Sequence, residues 1–258
     1  MAYDKLSLDG RVAVVIGGTT GIGRELALGF AQAGAAVVAS SRRKDQVEKV
    51  CEEIEALGSP TLCAVSDVID RGSLEHLLER TLEQFDKVDI LVNSAGCTKR
   101  GPTLDFAEED WNAIIDVNLT GTLRSCQVFG RHMLERGYGR IVNIASLSTY
   151  VAFSEVAAYT ASKAAVGALT KSLAVEWGAR GVCVNAIAPG VFRTALNSAL
   201  LDGTERGKEL KLRTPMGRFG DVKELVGAGI FLASEAASFV NGEILCVDGG
   251  FLASGVNQ

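Results

Sequence analysis

The sequence predicts an α/β fold: a doubly wound parallel sheet of about seven strands with helices on both faces. Three observations carry this expectation. Apolar, β-rich runs alternate with helical stretches from end to end, as parallel strands joined by crossover helices require. A glycine-rich run, Gly17-Gly18-Thr19-Thr20-Gly21-Ile22-Gly23, stands where the first strand meets the first helix. With 258 residues, 47% of them hydrophobic, the chain can bury one full core, so a single domain over 1–258 is expected.

The first strand is Val12–Ile16, five apolar residues in a row, as a strand buried on both faces reads. The glycine run ends it, and a helix is expected over 22–33. A strand at 36–39 and a helix at 44–57 follow, then a strand at 61–65 and a helix at 73–85. The next pair is a strand at 90–92 and one long helix over 108–136. A strand at 140–144 precedes the helix Ala157–Trp177, and strands at 182–186 and Ile244–Val247 flank a helix at 222–234. Such a sheet binds ligands beyond the carboxyl ends of its strands, where the motifs below fall.

Composition excludes several classes. The net charge of −5, with Lys and Arg scattered apart from Arg42-Arg43-Lys44, argues against a nucleic-acid partner. No stretch of eighteen apolar residues exists to span a bilayer, and Met1-Ala2-Tyr3-Asp4-Lys5 lacks a secretory signature, so no membrane association and a cytoplasmic location are expected. Six cysteines (Cys51, Cys63, Cys97, Cys126, Cys183, Cys246) without a Cys-x-x-Cys pair, and only His76 and His132, read as reduced thiols without a metal site.

The glycine run has a mechanical reading. Glycine permits positive φ in a tight turn, lets backbone approach a pyrophosphate and allows close helix packing, while the helix N-terminus offers free N–H groups to phosphate. Further along, Tyr159-Thr160-Ala161-Ser162-Lys163 places a phenol and an ammonium four residues apart, on one helix face. A free tyrosine titrates near 10 and is a poor proton shuttle at neutral pH unless a cation such as Lys163 favours its phenolate. Ser146 follows the strand at 140–144 and faces the same helix, where it can bind a carbonyl oxygen.

With these motifs in this order, nearly the whole chain resembles a compact member of the short-chain dehydrogenase/reductase family, of Rossmann-type architecture. The resemblance implies a catalytic tetrad of Asn118, Ser146, Tyr159 and Lys163. It implies a dinucleotide held by Gly17, Thr19, Thr20, Gly21, Ile22 and Gly23, by Asp67 and Val68 near the adenine, and by Asn93, Ala95 and Gly96. Tyr159 and Lys163 also face the cofactor, and Pro189, Gly190 and Thr194 cradle the nicotinamide. The sequence departs from the family pattern at Ile16, usually threonine, and Ser94, usually asparagine.

Cofactor choice is read after the second strand, where an acidic residue would favour NAD(H). Here Ser41, Arg42 and Arg43 stand instead, and an arginine fork suits a 2′-phosphate, so NADP(H) is preferred, with NAD(H) the alternative. Arg42 and Arg43 equally read as solvated residues opening a helix.

Whole segments, Arg213-Thr214-Pro215 and the stretch through Val247-Asp248-Gly249-Gly250 among them, most resemble gluconate 5-dehydrogenase-like members, which implies a sugar-acid or polyol substrate. Lys99 and Arg100 are candidate carboxylate contacts or a solvated loop, and Ser148-Thr149-Tyr150 points to a less polar substrate. Rival readings are a 3-oxoacyl-carrier-protein reductase docking through Arg131, Arg136, Arg140 and Arg180, and a noncatalytic NADP(H) sensor. Residues 195–213 read as a substrate lid of short helices with Leu196, Leu200, Leu201 and Leu210 as its apolar members. The resemblance implies a homotetramer joined through the two long helices and the last strand.

Overall fold

The computed structural model describes residues 4–194 and 197–256; the Leu200 side chain, Met1 to Tyr3 and the first two lid residues, Ala195 and Leu196, lie outside that description. Six strands form one parallel sheet in the order β2-β1-β3-β4-β5-β6. They are β1 (Val12–Ile16), β2 (Ala36–Ser40), β3 (Ile90–Asn93), β4 (Gly139–Ile144), β5 (Val182–Pro189) and β6 (Ile244–Val247). The chain runs from β1 outward to β2, then returns to the other side of β1 as β3, so a crevice opens between the carboxyl ends of β1 and β3.

The helices are α1 (Gly21–Gln32), α2 (Lys44–Ala56), α3 (Arg71–Phe85), α4 (Glu108–Ile115), α5 (Gly121–Arg136), α6 (Ala157–Trp177), α7 (Ser198–Leu201), α8 (Glu205–Arg213) and α9 (Val226–Ala233). One core packs α1 and α9 on a sheet face through Leu26, Phe30, Leu225 and Leu232; the other packs α3 and α5 on the opposite face through Leu74, Leu77, Phe129 and Met133. Burying each such side chain contributes about 1.5–3 kcal/mol. The strands between the two layers are apolar on both sides because neither face meets water.

The seventh strand, expected at 61–65, is corrected to a single bridge between Thr61 and Val37. Side-chain hydroxyls take the β2 carbonyls that a ladder would use: Ser59 Oγ donates to Ala35 O (2.5 Å) and Thr61 Oγ1 to Val37 O (2.6 Å). Ser40 Oγ in turn donates to Ala64 O (2.6 Å), so the segment follows the β2 edge without forming a regular strand. Cys63 on this segment is joined to Cys51 of α2 by a disulfide, Cα atoms 6.0 Å apart, which corrects the reading of all six cysteines as thiols.

The long helix expected over 108–136 is interrupted by a π-helical turn, Asp116–Thr120, between α4 and α5. Gly121, just past it, is where α5 crosses Val68, and a Cβ there would approach the Val68 side chain to 2.9 Å. The helix expected over 222–234 begins as a 3-10 turn, Val222–Leu225, capped by Asp221 and Glu224 in a capping box, and continues as α9.

At the opposite end of the sheet, a buried Asp89 accepts from Val12 N (3.0 Å) and from Arg136 Nη1 (3.1 Å) and lies 3.2 Å from Lys87 Nζ. Arg11 and Arg140 stack on either side of Tyr138, whose hydroxyl donates to Glu235 Oε1 (2.8 Å). These charges lock the amino ends of the strands, away from the crevice.

Candidate active site

The crevice is built first by glycine. Gly17, at φ 77°, ends β1 in a conformation only glycine adopts readily, and a Cβ there would meet Ala95 N at 2.5 Å. The turns after β1 and β3 therefore touch. A Cβ on Gly23 would lie 2.2 Å from Gly17 O, so this glycine lets α1 start directly against the turn. Thr20 caps α1 without a side-chain cap bond and is exposed, which leaves its hydroxyl and the first-turn N–H groups facing the crevice. This cradle fits a dinucleotide pyrophosphate.

The rim beyond β2 is polar. Thr19 Oγ1 donates to Ser41 Oγ (2.9 Å), and Arg43 caps α2 while its Nη2 donates to Gln46 Oε1 (2.6 Å). Of the two arginines Arg43 is thus engaged with its own helix. Arg42 is exposed at this rim, and its charge partly offsets the rise that burial imposes on the Cys97 thiol pKa. Asp67 accepts from Ile69 N through Oδ1 (3.2 Å), a turn that sets the half-buried carboxylate and the buried Val68 beside the same rim.

Asn93 does not present its side chain to the crevice. Its Nδ2 donates to Asn143 Oδ1 (2.8 Å), its register partner on β4, and its Oδ1 accepts from Ser125 Oγ (2.5 Å). Asn143 Nδ2 continues to Thr170 Oγ1 (3.0 Å), so this buried network ties the sheet to α5 and α6. The following residues, Ala95 and Gly96, supply backbone to the crevice. Thr194 returns over the glycine turn, its Cγ2 3.9 Å from where a Gly21 Cβ would be, and Gly190 follows Pro189 against Asp248, where a Cβ would clash at 2.5 Å.

The catalytic candidates converge at the carboxyl end of β4. Ser146 follows that strand in extended backbone, accepts from Ser148 N (3.1 Å) and lies beside the Tyr159 phenol. Burial pushes the Tyr159 pKa above its ordinary value and the Ser146 hydroxyl opposes that rise. Lys163 Nζ donates to Ile144 O (2.7 Å) and sits 5.8 Å from the Tyr159 ring centre. Burial lowers its pKa to about 8, with Cys97 acting in the opposite direction. The spacing of Tyr159 and Lys163 on α6 thus sets the ammonium beside the phenol ring.

Asn118 enters from the π-turn and is fully buried. Its Oδ1 accepts from Cys97 N (2.8 Å), and its Nδ2 donates to Cys97 O (2.9 Å) and Ser162 Oγ (3.0 Å). Ser162 Oγ donates to Tyr159 O (2.7 Å), completing a brace from the β3 turn to α6. A π-turn at a functional residue is a recurring device, because the extra residue re-aims one side chain within a helix. Cys97 and Ser162 escaped the sequence reading, although Ser162 sits beside Lys163 in the motif itself.

Tyr150 turns away from the crevice: its hydroxyl donates to Ile244 O (3.2 Å), and burial raises its pKa to about 12. It belongs to the β6 side and gives no information on substrate polarity. Lys99 is paired with Asp110 and Arg100 with Glu155. The segment expected to form a lid holds α7 and α8, with Leu201 and Leu210 buried. A groove of about 730 Å³ between α3 and α5, lined by Arg71, His76, Gln127 and Arg131, lies away from every candidate catalytic residue.

Among the described residues no helix is long and apolar enough to cross a membrane. Residues 17–252 match the family profile described as Enoyl-(Acyl carrier protein) reductase. Gluconate 5-dehydrogenase of Gluconobacter oxydans (strain 621H) is 41% identical over 97% of this chain and 98% of its own length. D-threitol dehydrogenase of Mycolicibacterium smegmatis is 40% identical over 95% and 94%. The crystal structure of a gluconate 5-dehydrogenase from Burkholderia cenocepacia, in complex with NADP and tartrate, superposes with a TM-score of 0.94 at 41% identity, covering 97% of this chain and 98% of that one. Matched along almost its whole length in sequence and in fold, the chain belongs to the short-chain dehydrogenase/reductase family.

Proposed function

We propose that this chain is an NADP(H)-dependent oxidoreductase interconverting a ketone and a secondary alcohol on a polyhydroxylated substrate, a sugar acid or polyol of the gluconate 5-dehydrogenase type. The observation that carries the reading is the Ser146–Tyr159–Lys163 cluster at the carboxyl end of β4, beside a glycine cradle shaped for a pyrophosphate. Relatives of this length include a gluconate 5-dehydrogenase and a 5-keto-D-gluconate 5-reductase, and related structures carry NADP.

In this reading Gly17 to Gly23 and Thr20 hold the pyrophosphate, Ser41 and Arg42 meet the 2′-phosphate, Asp67 and Val68 border the adenine, and Gly190 and Thr194 flank the nicotinamide. The bound nicotinamide supplies or accepts hydride at the substrate carbon. Ser146 donates a hydrogen bond to the substrate oxygen and stabilises charge as it develops there. Tyr159 delivers its phenolic proton to that oxygen during ketone reduction and takes it back during alcohol oxidation. Lys163, anchored on Ile144 O, directs its remaining N–H groups toward the ribose and keeps a positive charge near the phenol. Asn118 holds the Cys97 and Ser162 backbone and hydroxyl so that the turn and the helix keep their spacing.

The carrier-protein reading loses support from its own candidates. Arg136 is bound to Asp89, Arg140 is buried beside Glu235, and both lie at the amino ends of the strands, opposite the crevice. A noncatalytic sensor has no use for Ser146 and Lys163 gathered beside the Tyr159 phenol. The test is oxidation of NADPH and NADH followed by absorbance with 5-ketogluconate, a neutral ketose and an acetoacetyl thioester. Turnover of a ketose or keto acid with NADPH supports the reading, and turnover of the thioester alone contradicts it.

A further inference from the structure

Among the described residues, the loops after β3, β4 and β5 carry three cations, and each is already met by a carboxylate of this chain. Lys99 pairs with Asp110, Arg100 Nε lies 2.6 Å from Glu155 Oε2, and Arg193 Nη2 lies 2.6 Å from Asp202 Oδ2. The Arg100–Glu155 pair joins the loop after β3 to the loop that leads into the helix of Tyr159 and Lys163. Arg100 follows Gly96 by four residues, and a Cβ on Gly96 would lie 3.7 Å from Lys163 Nζ. Glu155 precedes Tyr159 by four residues, in the loop that feeds α6.

Glu155 is held in an unusual backbone state. Its φ of 66° falls in the left-handed region, which L side chains other than Asn and Asp seldom adopt. Two contacts hold it there: the Arg100 ion pair, and Glu155 O accepting from Gly101 N (2.9 Å). Together they fasten the loop after β3 to the loop before α6. Phe153, on the same loop, pairs with Phe251 at a centroid distance of 6.2 Å.

Resting on the proposed function, we infer that Glu155 is a specificity-determining residue that withholds Arg100 from a substrate carboxylate, so that the site favours an uncharged polyol or ketose over an aldonate. A half-exposed pair is weak in itself. The competition is nevertheless uneven, because Glu155 is tethered at an effective concentration of roughly millimolar or more, while an aldonate must displace it from solution.

The test compares kcat/KM for erythrulose and 5-ketogluconate with NADPH in the wild-type chain, Glu155→Gln, and Glu155→Gln combined with Arg100→Met. The wild type is expected to favour erythrulose at least tenfold. Glu155→Gln is expected to raise the ketogluconate-to-erythrulose ratio at least tenfold, chiefly through KM, and the second substitution to abolish that gain. A wild type that favours ketogluconate, or a smaller rise in Glu155→Gln, overturns the inference. Calorimetric binding of gluconate to the NADP-loaded protein gives a readout independent of turnover: its affinity should rise at least tenfold in Glu155→Gln, and an unchanged affinity overturns the inference. Lack of turnover with every ketone would instead overturn the proposed function, leaving the gluconate affinities to decide on Glu155.

Discussion

Single side chains decide the chemistry, and two of them set its pH dependence. Burial holds Lys163 at about 8 and raises Tyr159, so across neutral and mildly alkaline pH the phenol keeps its proton while the ammonium is the group that titrates. The sign follows: below pH 8 the cation beside the phenol is present, and above it the charge is lost. The rate of ketone reduction is expected to fall as pH rises through about 8, which a kcat/KM profile on NADPH would record. A falling limb only above pH 10 would place control on the tyrosine. Cofactor choice is proposed to rest on Arg42, because the Arg43 guanidinium is bound to Gln46. Arg42→Ala is expected to raise KM for NADPH by about tenfold, the loss of one charge-assisted contact, with a much smaller change for NADH.

Elements place those residues, and here the sequence and the structure part in instructive ways. Strands buried on both faces were legible at 12–16, 90–92 and 182–186 because these runs are apolar but for Asn185, although β3 and β5 run on to Asn93 and Pro189; α6 was legible to its ends. The segment at 61–65 reads as a strand, yet Ser59, Thr61 and Ser40 spend their hydroxyls on the carbonyls involved, a competition that local propensity does not express. The π-turn at Asp116–Thr120 was illegible for another reason: a one-residue insertion leaves hydrophobic periodicity almost intact while rotating Asn118 into its brace. Asn93 shows the limit of motif reading, since it closes β3 and its side chain points into the sheet. At the opposite strand ends, Asp89 is fully buried among Val12 N, Arg136 and Lys87. Asp89→Ala is expected to lower stability by about 3–5 kcal/mol in urea unfolding, because it leaves cations and a backbone donor unpaired. A loss below 1 kcal/mol would show that the amino ends hold without it.

At the scale of the whole molecule, the crevice depends on distant segments meeting: the β1 turn against the β3 turn, Thr194 over Gly21, and Asp248 against Gly190. The outer surface carries its own signal. Val175 on α6 is 85% exposed and Phe239, in the turn that precedes β6, is fully exposed, one apolar group on an element through which a homotetramer is proposed and one close to another. Light scattering is expected to give four chains per particle, and Phe239→Asp to reduce that number; a monomeric wild type would contradict the assembly. The central claim, however, is that a dinucleotide cradle and a tyrosine acid work as one site. It is tested most directly by Tyr159→Phe, measured for NADPH binding by fluorescence and for ketone turnover by absorbance on the same preparation. Removing only the phenolic hydroxyl is expected to keep nucleotide affinity within about threefold while turnover falls by roughly a hundredfold or more. A variant that reduces the ketone at the wild-type rate would contradict the account.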